Sequence, residues 1–459
     1  MVSSRKTIEL SFLGGTGTVT GSKYLLRSGG RSVLVDCGLF QGLKALRLRN
    51  WAEPPARPRD VDAVVLTHAH LDHSGYLPRF IAQGFEGPVH ASPGTRDLCA
   101  ILLPDSGHLQ EEEARYANKR GFSKHKPALP LYTEAQARRS LERFATTPFR
   151  KATGVAGRFD LTLRPAGHIL GAAVAELRAA GTRIVFSGDL GRMTDPIMRP
   201  PATVKEADYL IVESTYGNRR HDAADPEAEL GGHLARALQR GGVVVIPAFA
   251  VGRAQTLLHF IARLKEKRAI PEVPVYLNSP MAIDATRLYH KYRAEHRLSP
   301  DECEAACTVA KMVHTADESR ALNERGGPMI VVSASGMATG GRVVHHLKAF
   351  APEARNMILL AGFQAAGTRG AALAAGATEI KIHGAYVPVR AEVVKMDSLS
   401  AHADYVEILD WLRGFQRPPK RTFVTHGEPA AADEMRRRIA ESFGWDVRVP
   451  EYGEKVVLS

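Results

Sequence analysis

The sequence predicts an α/β protein in which one α/β domain is inserted into another. Three observations predict it. Residues 7–67 and 161–213 read as β-rich, with strands separated by Gly-rich turns. From about residue 218 helical stretches alternate with short apolar runs, which suggests βαβ units around a parallel sheet. After Pro388 the β-rich character returns, so the first pattern brackets the second.

Taken in order, strands are expected near Ile8–Phe12, Ser22–Leu26, Ser32–Asp36 and Ala63–Thr67. Asp97 to Arg143 is polar and helical in pattern, broken by Lys126-Pro127-Ala128-Leu129-Pro130. More strands follow near Leu161–Leu163, Ala173–Arg178, Arg183–Gly188 and Asp208–Glu213. The inserted part offers Val243–Pro247, Val275–Leu277, Met329–Val332, Met357–Leu360 and Glu379–Ile382. Three of its strands run into Gly-containing turns and then a helix, at Phe249–Arg253, Ser335–Arg342 and Gly362–Gln364. Glu392–Met396, Thr422–Thr425 and a last helix near Ala431–Phe443 complete the chain. The expected division is 1–213, 214–394 and 395–459, the outer two segments forming one domain.

Composition sets bounds on function. At 459 residues the chain is too long for one ordinary domain, and 44 % hydrophobic with 24 % charged residues is a globular profile. No apolar run approaches the roughly 18 residues of a membrane span, and the N-terminus shows no secretion signal. The four cysteines, Cys37, Cys99, Cys303 and Cys307, form no CxxC pair and read as plain thiols of a reducing compartment, most simply the cytoplasm. The net charge of +12 is spread along the chain, so it permits a nucleic-acid partner without establishing one.

The chemistry concentrates in Thr67-His68-Ala69-His70-Leu71-Asp72-His73, which follows a strand-like run. In an extended segment residues i and i+2 point the same way, so His68 and His70 can bind one metal. Asp72 and His73, where the chain turns into a helix, can face a second. Imidazole and carboxylate suit zinc, and also manganese or iron.

HxHxDH after a strand resembles the metallo-β-lactamase superfamily, whose other landmarks occur here in order. Asp36 before Cys37-Gly38 matches the first acidic motif, a group behind the ligands that orients the loop. His168 in Pro165–Gly171 matches the third motif and Asp189 in Phe186–Gly191 the fourth. The resemblance implies an αββα sandwich and two Zn2+ per chain, with Mn2+ able to substitute. Site one would take His68, His70, His168 and Asp189; site two would take Asp72, His73, Asp189 and a later histidine. Two metals roughly 3.5–4 Å apart would activate a shared water and polarise the bond attacked.

Three further motifs are similar to motifs A, B and C of the β-CASP nucleases, a family that includes the nuclease subunit of the cleavage and polyadenylation specificity factor and its prokaryotic homologues. They are Glu213-Ser214-Thr215-Tyr216, Ser400-Ala401-His402-Ala403-Asp404 and Thr425-His426-Gly427-Glu428. By this resemblance His426 completes site two, and His402 with Glu213 protonates the leaving oxygen. Those two stand with Asp72 as the catalytic groups. Histidine at motif C marks the RNA-acting branch, so the expected partner is single-stranded RNA. The insertion would be a parallel-sheet β-CASP domain clamping that substrate, with Arg253, Ser335, Thr339 and Arg342 as candidate phosphate contacts. The chain has no room for the N-terminal KH domains of some archaeal relatives, nor for the C-terminal extension of ribonuclease J relatives. Endonuclease and 5′-exonuclease modes both fit.

Two rival readings make different demands. A hydrolase of small esters or thioesters would use the same metals but need neither Glu213, His402 nor the insertion. A catalytically silent scaffold should have lost metal ligands, and here each can be named.

Overall fold

A computed structural model describes residues 7–121, 123–221 and 225–459. Two compact units result: one reaches Arg220 and resumes at His402, and the other is His221–Ala401. No helix among the described residues is long and apolar enough to cross a membrane.

The first unit holds two seven-stranded sheets. One runs, edge to edge, through Lys455–Leu458, Ile8–Phe12, Tyr24–Ser28, Arg31–Val35, Ala63–Val65, Val89–Ala91 and Phe144–Thr146. The other runs through Val447–Arg448, Arg421–Val424, Tyr209–Val212, Thr182–Phe186, Ala173–Ala179, Phe159–Pro165 and Thr153–Val155. Strand side chains alternate between faces, so Ile8, Leu10 and Phe12 of one sheet enter the same buried core as Leu161, Leu163 and Phe423 of the other. Phe12 and Phe423 meet with ring centroids 5.0 Å apart. Each such side chain contributes on the order of 1.5–3 kcal/mol by leaving water. The alternate positions Leu25, Leu34 and Val64 are buried as well, so the outward face of this sheet is also covered.

Each sheet has parallel neighbours where the chemistry sits. Arg31–Val35 runs parallel to Ala63–Val65, and Thr182–Phe186, Tyr209–Val212 and Arg421–Val424 run parallel to one another in turn. Their carboxyl ends therefore lie together.

Of the strands that start or stop away from the expected positions, two do so for a hydrogen-bonding reason that bears on the site. The strand expected at Ser22–Leu26 is Tyr24–Ser28, because the Ser22 N–H is donated to the Asp72 carbonyl instead of the ladder. The strand expected to reach Thr67 stops at Val65, and the Thr67 N–H goes to the Asp36 carboxylate.

The second unit is built on a six-stranded sheet. Val243–Pro247, Met329–Ser333 and Met357–Ala361 are buried at every position. Val244, Ile246, Ile330 and Val332 enter one core, and Val243, Val245, Met329 and Val331 enter the core on the other face. A parallel strand covered on both faces has no polar side, which is why these segments are continuous apolar runs. Glu392–Met396 pairs in parallel with Met357–Ala361 and closes one edge, and Glu379–Ile382 leaves the sheet to form a hairpin with Ala385–Pro388.

Candidate metal centre

Five strand ends of the first unit deliver the candidate residues. Asp36 follows Arg31–Val35, His68 and His70 follow Ala63–Val65, Asp189 follows Thr182–Phe186, Glu213 follows Tyr209–Val212, and His426 follows Arg421–Val424. His168 comes from the loop after Phe159–Pro165, and Leu71–Ser74 is a single helical turn that carries Asp72 and His73. All except His70, Asp72 and His402 are buried.

Asp36 organises the loop. Its Oδ1 accepts the Thr67 N–H at 2.7 Å, and its Oδ2 accepts the Thr67 hydroxyl at 2.9 Å. His73 Nδ1 lies 2.8 Å from the same Oδ2. A carboxylate only accepts, so His73 Nδ1 carries the proton and Nε2 presents a lone pair. The Thr67 hydroxyl has spent its proton on Asp36, so its oxygen accepts from His68 Nδ1 at 3.1 Å, which again leaves Nε2 as the donor atom. Asp36 and His426 both hold positive φ, +59° and +49°, a conformation that non-glycine residues adopt at a cost. Gly38 permits the close approach beneath, because a Cβ there would lie 1.6 Å from the Asp72 carbonyl oxygen.

The ring nitrogens converge. His70 Nδ1 is 3.2 Å from His68 Nε2 and 3.2 Å from His168 Nε2, and His73 Nε2 is 3.0 Å from His426 Nε2. Each close pair of ring nitrogens is satisfied either by one shared proton or by a cation that takes both lone pairs, and His70 Nδ1 faces two such nitrogens at once. Asp189 stands between the groups. Its Oδ2 is 3.4 Å from His68 Nε2 and 3.7 Å from His168 Nε2, while its Oδ1 is 3.2 Å from His73 Nε2 and 3.4 Å from His426 Nδ1. The structure thus gathers His68, His70, His168 and Asp189 in one set, and Asp72, His73, Asp189 and His426 in another, each with donor atoms within 4.8 Å of one another. Nitrogen and oxygen donors at this spacing fit two divalent cations sharing one carboxylate.

Without a cation the electrostatics of the cluster are divided: His68 is kept neutral, while His73 is drawn towards the protonated form, and a bound cation would take the place of that proton on Nε2. Burial, joined by the nearby charge of His73, holds His68 well below the usual imidazole range. Burial works against a charged His73 too, but the Asp189 and Asp36 carboxylates outweigh it and raise its pKa well above the usual value. Burial disfavours the Asp189 carboxylate, yet the surrounding histidines, His426 and His73 first, keep it well below the ordinary range.

His402 forms a third grouping with Glu213. Its Nδ1 lies 3.2 Å from Glu213 Oε2 and 3.9 Å from Asp189 Oδ2. Glu213 is itself held in place, its Oε1 accepting the Leu190 N–H at 2.6 Å. Burial works to lower the His402 pKa, but the carboxylates of Glu213, Asp189 and Asp72 together raise it above the usual imidazole value.

The four candidate phosphate contacts lie in the second unit. Arg253 opens the helix Arg253–Glu266. Ser335 Oγ accepts the Thr339 N–H at 3.1 Å, which tightens the loop. The Arg342 guanidinium donates to Asn278 Oδ1, the Val313 carbonyl and the His314 carbonyl, and so holds that loop from within.

Two residues that stand within the quoted motifs, but are given no role there, support the site. Thr67 ties Asp36 to His68, and Thr215 Oγ1 lies 3.1 Å from His426 Nδ1. Both adjoin motif residues, a signal that could have found them.

Comparison with known proteins extends over nearly all of the chain. Family models match as follows: the metallo-beta-lactamase superfamily over residues 16–267, the Beta-Casp domain over 254–373, and the Zn-dependent metallo-hydrolase RNA specificity domain over 386–450. Ribonuclease TTHA0252 of Thermus thermophilus is 34 % identical, the match covering 96 % of this chain and 98 % of that one. Transcription termination factor FttA of Methanocaldococcus jannaschii is 30 % identical, covering 94 % of this chain and 69 % of its own length. A solved structure of a protein of unknown function from Enterococcus faecalis shares the fold, with a TM-score of 0.54 at 15 % identity over 98 % of this chain and all of the other.

Proposed function

Because the chain belongs to the metallo-β-lactamase superfamily, in its β-CASP branch, we propose that it is a zinc-dependent ribonuclease. It hydrolyses phosphodiester bonds of single-stranded RNA in the cytoplasm, in RNA processing or decay, using two metal ions per chain. One observation carries this reading: the two oxygens of Asp189 divide between two clusters of imidazole and carboxylate donors. The match to an RNA specificity domain, and a full-length relative named as a ribonuclease, support RNA as substrate.

His68, His70, His168 and Asp189 would hold one ion, and Asp72, His73, Asp189 and His426 the other. When bound, such ions would supply Lewis acidity, polarising the phosphodiester and lowering the pKa of water towards neutrality. The protein's own task is then the leaving oxygen. An alkoxide is a poor leaving group, so a proton delivered to it lowers the barrier. Glu213 engages Nδ1 of His402 and fixes the ring, so Nε2 is the atom that holds and delivers the proton. Arg253, Ser335 and Thr339 would bind phosphates, with Arg342 holding the loop that carries Ser335 and Thr339.

The test is to incubate the purified protein with end-labelled and internally labelled single-stranded RNA, with and without chelator. Chelator-sensitive cleavage is expected, and the product ladder separates internal cuts from 5′ trimming. Chelator-insensitive cleavage, or none on any RNA, would remove the reading.

A further inference from the structure

A second, unrelated group of metal-type donors lies within the inserted unit. Helix Pro280–Lys291 ends one residue after His290, and helix Pro300–Thr308 carries Cys303 and Cys307 one turn apart on the same face. The two helices pack together, which brings His290 Nε2 to 3.3 Å from Cys307 Sγ. One donor atom from each of His290, Cys303 and Cys307 lies within 4.8 Å of the others. In sequence the two cysteines read as plain thiols; the imidazole beside them is supplied only by the fold.

We propose that His290, Cys303 and Cys307 form a third metal site, selective for a thiophilic cation such as Zn2+ and separate from the hydrolytic centre. In a tetrahedral zinc site, bond lengths of about 2.3 Å to sulfur and 2.0 Å to nitrogen put neighbouring donors ~3.5–3.8 Å apart. The observed spacing reaches that with sub-ångström adjustments of side chains. Two thiolates and one imidazole make a soft donor set, unlike the nitrogen and oxygen donors of the first unit. Glu304, on the same helix, supplies the fourth ligand: its Oε2 is 3.9 Å from His290 Nε2 and its side chain is exposed enough to swing inward.

The arrangement suits a metal better than a redox pair. Both sulfurs are free thiols, Cys303 buried and Cys307 half-buried. Burial raises both thiols, Cys307 to about 11, so without a cation they are poor nucleophiles towards oxidants at neutral pH. A bound cation would displace the two thiol protons into solvent and clip the helices together.

The experiment uses the full chain, prepared under reducing conditions, and Cd2+ as a thiolate-reporting probe. The wild type should develop a near-ultraviolet thiolate-to-metal charge-transfer band whose final intensity corresponds to one sulfur-bound Cd2+ per chain, because neither donor set of the hydrolytic centre contains sulfur. Cys307→Ser and His290→Ala should each weaken Cd2+ binding at this band by at least tenfold, and Cys303→Ser with Cys307→Ser should abolish it. Circular dichroism checks that each variant is folded. His290→Ala, at a half-buried position, keeps the test available if the buried Cys303→Ser does not fold. Chelator-sensitive RNA cleavage by these variants should match the wild type, so the two sites are judged separately. A band that survives the double variant, or no band in the reduced wild type, overturns the site. So does a Cys303–Cys307 disulfide that forms in air in the zinc-loaded protein, which would mark a redox pair instead.

Discussion

His73 Nδ1 lies 2.8 Å from Asp36 Oδ2, and the same carboxylate takes both the N–H and the hydroxyl of Thr67. Asp36 therefore sets the tautomer of His73 and anchors the strand end that bears His68. Its substitution should act through the ligands. Asp36→Asn replaces an acceptor oxygen by an NH2 group facing donors, and should weaken metal binding by roughly 10–100-fold. Competition against a chromophoric chelator measures this, and unchanged affinity would show that Asp36 does not orient His73.

The position of Asp189 leads to a second prediction. Its carboxylate faces both donor sets, so Asp189→Ala should lower the metal content of the hydrolytic centre below two ions and abolish hydrolysis. Elemental analysis alongside RNA cleavage reads both. A variant that still holds two ions there would show the bridging assignment to be wrong.

His402 and His426 look equivalent in sequence but face different partners. His402 sits against Glu213, and His426 lies 3.4 Å from Asp72 and 3.4 Å from Asp189. His402→Ala should keep both ions and near-normal RNA affinity while losing about 10²–10⁴-fold in rate. His426→Ala should lose one ion, and added zinc should partly restore it. An activated phenyl phosphodiester, whose leaving group needs no proton, should rescue His402→Ala far more than His426→Ala. Loss of zinc in His402→Ala with two ions kept in His426→Ala would reverse the roles.

The proposed substrate makes a fourth prediction. Matched RNA and DNA oligonucleotides should be cleaved at clearly different rates, RNA the faster. RNA binding should weaken linearly on a log–log plot as salt rises, since phosphate contacts release counterions. Equal rates on the two nucleic acids would remove the RNA preference. A flat salt response would point to a small uncharged substrate.

Chemistry carried by neighbours in the chain was legible from the residues. His68, His70, Asp72 and His73 lie within six positions, and the alternation of an extended strand followed by a turn is enough to suggest two facing directions. The inserted α/β unit was legible for a similar reason: strands covered on both faces must be apolar throughout, so Val243–Pro247 and Met329–Ser333 are visible as runs. The short strands Val89–Ala91, Phe144–Thr146 and Lys455–Leu458 were not legible, because three or four residues carry too little periodicity. Lys455–Leu458 is a strand only because Ile8–Phe12, at the other end of the chain, offers it an edge.

The order of residues alone specifies an inventory: which donors exist, their local order, and the insertion of one α/β pattern within another. Tertiary structure decided which atoms meet. Asp36 reaches His73 across 37 positions and His73 reaches His426 across 353, distances over which no local periodicity constrains geometry. The parallel register of Thr182–Phe186, Tyr209–Val212 and Arg421–Val424 carries their carboxyl ends, and hence Asp189, Glu213 and His426, to one place. The same holds for His290 and Cys307, 17 positions apart, which become neighbours only when two helices pack. The physical reason is common to all three: buried apolar faces fix how strands and helices assemble, and the polar side chains at their ends meet where that packing puts them.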